Sequence, residues 1–332
     1  MSVQRDNLLA DYACLAEGAA VAVLAVRTQI SVRGADRSTF LHGMCTNDVK
    51  NLAAGQGREA FFTNVQGKTI GHAFLFAGDD AIALDATAGQ AETLMPGLER
   101  YIIREDVQLV DRSGELGELL VAGPDAARLL ATLTGGEVPR ERLDQVAITI
   151  GGIPISLRRV DFVGGECFFV ACDAGQAADV RAAIASGGAK PIGAEAVEAA
   201  RIEQGTPLFG RDITPANLPQ EVARDAAAIS FNKGCYLGQE TVARIDALGH
   251  VNRYLVGVRF DGDRPAEAGA KLTADDKIVG EVTSATFSPR LGAPLALAYV
   301  RRGHHEPGTK LQCDVVAAGI VAAEVVSLPV IA

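Results

Sequence analysis

The octapeptide Lys233-Gly234-Cys235-Tyr236-Leu237-Gly238-Gln239-Glu240 sets one thiol among a cation, two glycines and a polar pair. Cysteine attacks electrophiles and binds metals as its thiolate, and a neighbouring Lys⁺ or a helix N-terminus lowers the pKa that controls how much thiolate is present. Both are available here. From Gln239 to Leu248 the residues Val242, Ile245 and Leu248 recur every third position, which predicts a helix whose positive end lies just after Cys235. Gly234 and Gly238 give the loop φ values closed to other residues, so it can turn tightly or approach a ligand closely. Cys235 and Lys233 form the candidate catalytic pair, and Gly234, Gly238, Gln239 and Glu240 shape the loop around them. The competing reading makes Cys235 a small hydrophobe in a turn.

A second constellation runs from Arg201-Ile202-Glu203-Gln204-Gly205-Thr206-Pro207 through Asp212 to Glu221. Glu203 falls at the end of a helix predicted over Gly193 to Gln204, where the dipole disfavours a carboxylate. A nearby arginine would compensate it, and so would a ligand donating hydrogen bonds, such as the N–H edge of a pterin.

Metal and nucleotide motifs are weaker. Cys167 and Cys172 lie five apart on a predicted strand, and an odd offset points their side chains to opposite faces. His42 and Cys45 share a helix face at a spacing of three, without a second ligand pair nearby. His304-His305 reads as a solvated turn, and the spacings do not make a four-ligand structural zinc site. No metal site is assigned beyond Cys235 as a transient iron ligand. Neither G-x-G-x-x-G nor G-x-x-x-x-G-K-[ST] follows a strand.

The elements that must hold these residues read as a mixed α+β pattern. Ala19 to Ile30 is a strand, and Asp36 caps a helix that carries Phe40, Leu41 and Met44. Phe61 to Phe76 forms a hairpin about Val65-Gln66-Gly67-Lys68, Asp79-Asp80 makes a turn, Ala81 to Leu84 is another strand, and Gln90 to Tyr101 is a helix. A similar series follows from Glu118 to Ala185, so a β, α, β, β, α order occurs twice and suggests a duplicated ferredoxin-like unit. After Gly249, short strands punctuated by Gly, Pro and Asp predict a small β-barrel. The expected division is a body over residues 1–248, in two subdomains of approximately 1–115 and 116–248 that could interleave, and a barrel over 249–332.

With 332 residues, 48% hydrophobic, the chain is long enough for two or three cores. A net charge of -10 argues against a general nucleic-acid surface, which needs Lys and Arg to neutralise phosphates. Six scattered cysteines do not form a disulfide scaffold, and the acidic N-terminal region fits neither a secretory signal nor a transit peptide. No apolar run reaches the roughly 20 residues needed to span a bilayer. The expectation is a cytoplasmic protein without membrane or direct nucleic-acid partners.

The octapeptide, with Val242-Ala243-Arg244, resembles the signature of the YgfZ folate-binding family. Gly34-Ala35-Asp36-Arg37, Phe40-Leu41-His42-Gly43, Thr46-Asn47-Asp48-Val49, Gln66-Gly67-Lys68 and Arg201 to Pro207 follow in family order. The wider superfamily contains the glycine-cleavage T-protein, an aminomethyltransferase. The resemblance implies a ring-like, pseudo-duplicated folate-binding body of T-protein type with a C-terminal β-barrel, and tetrahydrofolate or a derivative as cofactor. It implies that Glu203 recognises the pterin, that Lys233 and Arg244 meet the glutamyl tail, and that Tyr236 joins the folate site. T-proteins carry a paired Asp after the hairpin glycine, and Gly71 and His72 stand there instead, which removes the acid an ordinary aminomethyltransferase uses.

The leading expectation is a folate-binding accessory protein for assembly or repair of iron–sulfur clusters in client enzymes, working through the Cys235 thiolate with iron–sulfur client or assembly proteins as partners. A single cysteine cannot hold a cluster that takes four thiolates, so a partner must share it. The alternatives are a tetrahydrofolate-dependent aminomethyl or one-carbon transferase and a non-catalytic folate-responsive binding module.

Overall fold

The computed structural model describes residues 2–136, 138–316 and 318–330. The chain opens with helix α1 (Ser2–Glu17) and strands β1 (Ala20–Val23) and β2 (Thr28–Arg33). It continues through α2 (Arg37–Met44), β3 (Gly57–Thr63), β4 (Thr69–Ala77), β5 (Ala81–Ala86), α3 (Ala91–Glu99) and β6 (Gln108–Asp111). The second series is β7 (Leu116–Ala122), α4 (Ala126–Thr134), β8 (Gln145–Ile150), β9 (Ile153–Arg159), β10 (Cys167–Asp173), α5 (Ala177–Ser186) and β11 (Lys190–Pro191).

The two series share one strand order. In the first sheet it is β3-β4-β5-β2-β6, and in the second β8-β9-β10-β7-β1-β11. Each half is therefore a ferredoxin-like unit with an extra strand, β5 or β10, beside the first strand of its unit; the sequence predicts both of these as strands, over Ala81 to Leu84 and Cys167 to Ala171, and does not predict β6 or β11. The halves interleave, because β1 pairs with β7 and β11 of the second sheet while β2 begins the first. The single strand expected over Ala19 to Ile30 is thus two strands. Arg27, between them, pairs with Asp85 on one sheet and Glu118 on the other at 2.5 and 2.9 Å, where the chain crosses.

Each sheet buries one face under its own helices. Phe40, Leu41 and Met44 of α2 and Leu94 and Leu98 of α3 pack on the first, and Leu130, Val180 and Ile184 on the second. Alternation along β10 puts Cys167 in one core and Cys172 in another, as their odd spacing requires. Asp36 precedes α2 without capping it; its carboxylate instead accepts from the Asp106 N–H at 2.8 Å. Asp79 and Asp80 occupy the turn between β4 and β5.

Helix α6 (Ala194–Gln204) ends at Gly205 with φ +80°, and α7 (Asp225–Ala228) and α8 (Gln239–Leu248) lead to the barrel. Helix α8 covers the range its apolar spacing predicts, although the Leu248 side chain lies outside the described residues. Strands β12 (Arg253–Phe260), β13 (Lys271–Ala274), β14 (Lys277–Ser288), β15 (Ala293–Arg301), β16 (Lys310–Val315) and β17 (Gly319–Val326) close in the order β12-β15-β14-β13-β16-β17. Leu255, Leu295, Leu297 and Tyr299 of the barrel join Phe61, Ile202, Tyr236 and Val242 of the body in one apolar cluster. Among the described residues no helix is long and apolar enough to cross a membrane.

Candidate functional site

The predicted functional residues occupy two separate places. The signature loop lies against the C-terminal end of α2, where several contacts fix it. Ser230 N–H donates to Thr46 O at 3.0 Å, Leu237 N–H to Gly43 O at 3.0 Å, and the Thr63 hydroxyl to Leu237 O. Gly238, with φ +80°, sits so close to the hairpin turn that an added Cβ would lie 2.4 Å from Asn64 O. That contact, together with the left-handed backbone, explains why only glycine fits.

Lys233 is the main clamp. Its ammonium donates to the carbonyls of His42, Cys45 (2.7 Å) and Asn47 (2.9 Å), and it lies 4.8 Å from the centroid of the Tyr236 ring. Helix carbonyls at a C-terminus carry partial negative charge and suit a cation. Burial lowers the Lys233 pKa, and the facing acidic groups Cys45 and Asp48 push it back up. The geometry therefore gives Lys233 a different task from the one expected: the buried ammonium is committed to loop carbonyls, and the thiol that faces its charge is Cys45. Tyr236 is buried too, its phenol pushed up to about 12 by burial and then by Cys45, which makes it part of the clamp.

Above this clamp Cys235 and Gly234 are exposed, Gln239 is half-buried in the first turn of α8, and Glu240 is exposed. Arg244 is exposed on the same helix. Cys235 is thus a reachable thiol on a pinned loop, not a turn hydrophobe. Among the described residues no three His, Cys, Asp or Glu side chains converge as a metal site.

Glu203 lies elsewhere, in the wall of a cavity of about 570 Å³ bounded by Tyr12, Arg159, Glu166, Gln204, Arg290 and Pro329 among others. None of residues 233–240, and neither Arg244 nor Tyr236, lines it. The carboxylate is 3% exposed, and the protein supplies the compensation its position demands. Tyr12 donates its hydroxyl to Oε2, Ser288 donates to Oε1 at 2.5 Å, and the Arg290 N–H donates to Oε1 at 3.2 Å. Arg290 Nε stands 3.7 Å from Oε2 and donates to the Tyr12 oxygen at 3.2 Å. Burial, then Glu203, pushes the Tyr12 phenol up to about 12, so it stays a protonated donor.

Two carboxylate oxygens offer about four acceptor positions. Three are filled by hydrogen bonds, two on Oε1 and one on Oε2. The volume falls within the roughly 300–1,000 Å³ of small-molecule sites. The cationic groups in the wall are Arg159, held to Glu166 at 2.6 and 2.8 Å, and Arg290. Sequence reasoning missed Tyr12, Ser288, Arg290 and Arg159, which come from distant segments with no local motif to announce them.

At the position of the absent paired acid, Gly71 packs so tightly that an added Cβ would meet the Leu94 side chain at 2.4 Å. His72 is buried, its Nε2 2.8 Å from Glu59 Oε1, and its ring centroid is 5.0 Å from that of Phe61. Arg224 holds both oxygens of Glu59 at 2.8 and 2.5 Å, and Arg142 binds Oε2. Burial raises the Glu59 pKa, but the Arg224 charge and the His72 and Arg224 hydrogen bonds outweigh it and hold the carboxyl well below its usual range. An acid so tied is a poor proton acceptor. His305, expected in a solvated turn, stacks on Tyr254 at 4.2 Å.

Comparison with known proteins gives a consistent answer. The GCVT N-terminal domain matches residues 4–233, and the Glycine cleavage T-protein C-terminal barrel domain matches 253–331. An aminomethyltransferase of Herpetosiphon aurantiacus is 30% identical over 94% of this chain and 86% of its own length. A putative chloroplastic transferase of Arabidopsis thaliana is 30% identical over 82% of this chain and 63% of its own. The crystal structure of the glycine cleavage system aminomethyltransferase T from Bartonella henselae superposes with a TM-score of 0.86 at 24% identity, covering 97% of this chain and 89% of that one, which establishes the fold. These likenesses favour the transferase reading over the iron–sulfur accessory reading, and they leave the narrower resemblance to the YgfZ family without separate support.

Proposed function

The chain belongs to the glycine-cleavage T-protein family, and from that premise we propose that it is a folate-dependent protein of the aminomethyltransferase class that holds tetrahydrofolate or a derivative in the cavity walled by Tyr12, Glu203 and Arg290. The observation that carries this reading is Glu203: a carboxylate fixed by three donors, buried, and still facing a cavity of ligand size. Such a preorganised acceptor suits the N–H edge of a pterin, because a charge-assisted hydrogen bond gains most where water is excluded. Bound there, the folate supplies the nitrogen that carries a one-carbon unit.

The residues of the chain bind and orient. Tyr12, Ser288 and Arg290 fix the Glu203 rotamer. Arg290 and Arg159, set beside the wall carboxylates Glu203 and Glu166, are the cationic groups that the acidic tail of a folate would meet. Glu166 is held at two points by Arg159, and Glu203 is fixed by its three donors as a hydrogen-bond acceptor for the ligand. Incubating the protein with tetrahydrofolate and an aminomethyl donor should yield methylene-tetrahydrofolate and ammonia over repeated turnovers. Folate binding without any turnover would remove the transfer step.

A second reading is favoured by one specific observation, the exposed Cys235 on a clamped loop outside the folate cavity. It makes the chain an accessory factor for iron–sulfur enzymes in which Cys235 shares a cluster with a partner. In cells Cys235→Ala should then lower the activity of cluster-containing enzymes while sparing folate binding. Unchanged cluster-enzyme activity would exclude it.

A further inference from the structure

We propose that Gln204 is a specificity-determining residue of the cavity, its side-chain amide donating to the C4 carbonyl oxygen of a 4-oxo pterin whose N–H edge lies on Glu203. This deepens the folate reading of the cavity and rests on it.

The polar side chains in the cavity wall are Tyr12, Arg159, Glu166, Glu203, Gln204 and Arg290. Five of them have partners within the protein. Tyr12 donates to Glu203 and accepts from Arg290, Arg290 Nη1 donates to Val330 O at 3.0 Å, and Arg159 and Glu166 hold each other. Gln204 is the exception: it is half-buried, and among the described residues none hydrogen-bonds its amide. Two donors and an acceptor therefore stand in the wall of a ligand-sized cavity with no protein group to meet them.

The end of α6 sets their place. Gln204 is the last residue of that helix and follows Glu203 directly, before Gly205 turns the chain. A helix rotates about 100° per residue, so the two side chains fan out and meet different atoms of one ligand. The loop between β9 and β10 fixes the amide from the other side. A Cβ built on Gly164 would lie 2.6 Å from Gln204 Oε1 and 3.3 Å from its Cδ, at a φ of +80° that itself favours glycine. The oxygen end of the amide is thus the part nearest that loop, and the NH₂ end is left for the cavity.

Donor and acceptor types then assign the atom. The 2-amino-4-oxo edge of a pterin presents an amino group, a ring N–H and a carbonyl oxygen in a row. An ionised carboxylate accepts from the N–H groups and has no proton to give to the carbonyl, whereas a primary amide has two. The paired arginine donors go to Glu166, Tyr12 and Val330 O, which leaves the carbonyl to Gln204.

The test is calorimetric titration of the full chain with tetrahydrofolate and with its 4-deoxy counterpart, which lacks the C4 oxygen and the neighbouring ring proton. Gln204→Leu should weaken tetrahydrofolate about two- to tenfold, the net worth of one neutral hydrogen bond, and leave the affinity for the 4-deoxy compound unchanged. Loss of the ring proton is common to both proteins, so the comparison isolates the Gln204 contact. Gln204→Glu, which keeps the size and removes the donor, should weaken tetrahydrofolate at least as much. Equal tetrahydrofolate affinity in Gln204→Leu and the natural protein would overturn the proposal and leave the folate reading in place. So would an equal loss on both ligands, which marks a distorted wall and not a missing donor. Binding of neither ligand by the natural protein would remove the folate reading, and the role of Gln204 with it.

Discussion

Replacing Lys233 by Met removes one ammonium and keeps most of the apolar stem, so it isolates the clamp. The carbonyls of His42, Cys45 and Asn47 lose their charged donor, while Asn47 O keeps a contact with the Cys45 thiol at 3.4 Å. Leaving a buried acceptor unpaired costs about 1–3 kcal/mol, so two fully orphaned carbonyls cost about 2–6 kcal/mol. Relief from burying a charge, signalled by the lowered Lys233 pKa, returns part of this. The expected net loss is about 2–4 kcal/mol, read as a lower midpoint in urea denaturation. Local loosening should accompany it, seen as faster hydrogen exchange at the Leu237 and Ser230 amides, which donate to the α2 side. A change within about 0.5 kcal/mol, the scale of a surface substitution, with unaltered exchange would refute the clamp.

Three further outcomes follow from the same geometry. Gly238→Ala should destabilise the loop junction by about 1–3 kcal/mol, since a Cβ 2.4 Å from Asn64 O adds to an unfavourable φ, and denaturation would measure it. Burial, then the charge of Asp246, raises the Asp225 pKa to about 6 from 3.8, so the folded state holds a proton that the unfolded state releases between those values. Stability from this group is present below about pH 4 and falls as pH rises through 6, by about 1 kcal/mol after discounting for partial exposure; Asp225→Asn should flatten that slope in midpoints measured across pH 4–7. Arg290→Met should weaken tetrahydrofolate binding by freeing Glu203 and Tyr12 and removing a cavity cation, and unchanged affinity by calorimetry would place the ligand elsewhere.

What could be read from the sequence was local. The helix over Gln239–Leu248, the hairpin about Gln66-Gly67-Lys68 and the opposed faces of Cys167 and Cys172 depend on neighbours within a few residues, where periodicity and glycine placement are informative. The duplication was legible as an element order, and β5 and β10 as strands, but their places beside β2 and β7 were not, because order along a chain does not state order across a sheet. The split of Ala19–Ile30 was hidden for a similar reason: Arg27 interrupts an apolar run to reach Asp85 and Glu118, and its partners lie 58 and 91 positions away along the chain.

At the site, Cys235 announced itself through composition, but the direction of the Lys233 ammonium did not. Its acceptors are backbone carbonyls of residues 42, 45 and 47, and a sequence carries no mark of which carbonyls are spare. Glu203 was legible as a carboxylate needing compensation at a helix end. That the compensation comes from Tyr12, Ser288 and Arg290 required the fold, which brings α1 and the end of β14 to one cavity wall.

The central claim is that Glu203 reads a reduced folate in the cavity it shares with Tyr12 and Arg290, and calorimetric titration with tetrahydrofolate tests it most directly. The natural protein should bind one equivalent per chain, and Glu203→Gln, which keeps the shape and removes the charge, should bind about tenfold or more weakly, the scale of a lost charge-assisted hydrogen bond. Equal affinity in a folded Glu203→Gln protein, or no binding by the natural chain, would contradict the account.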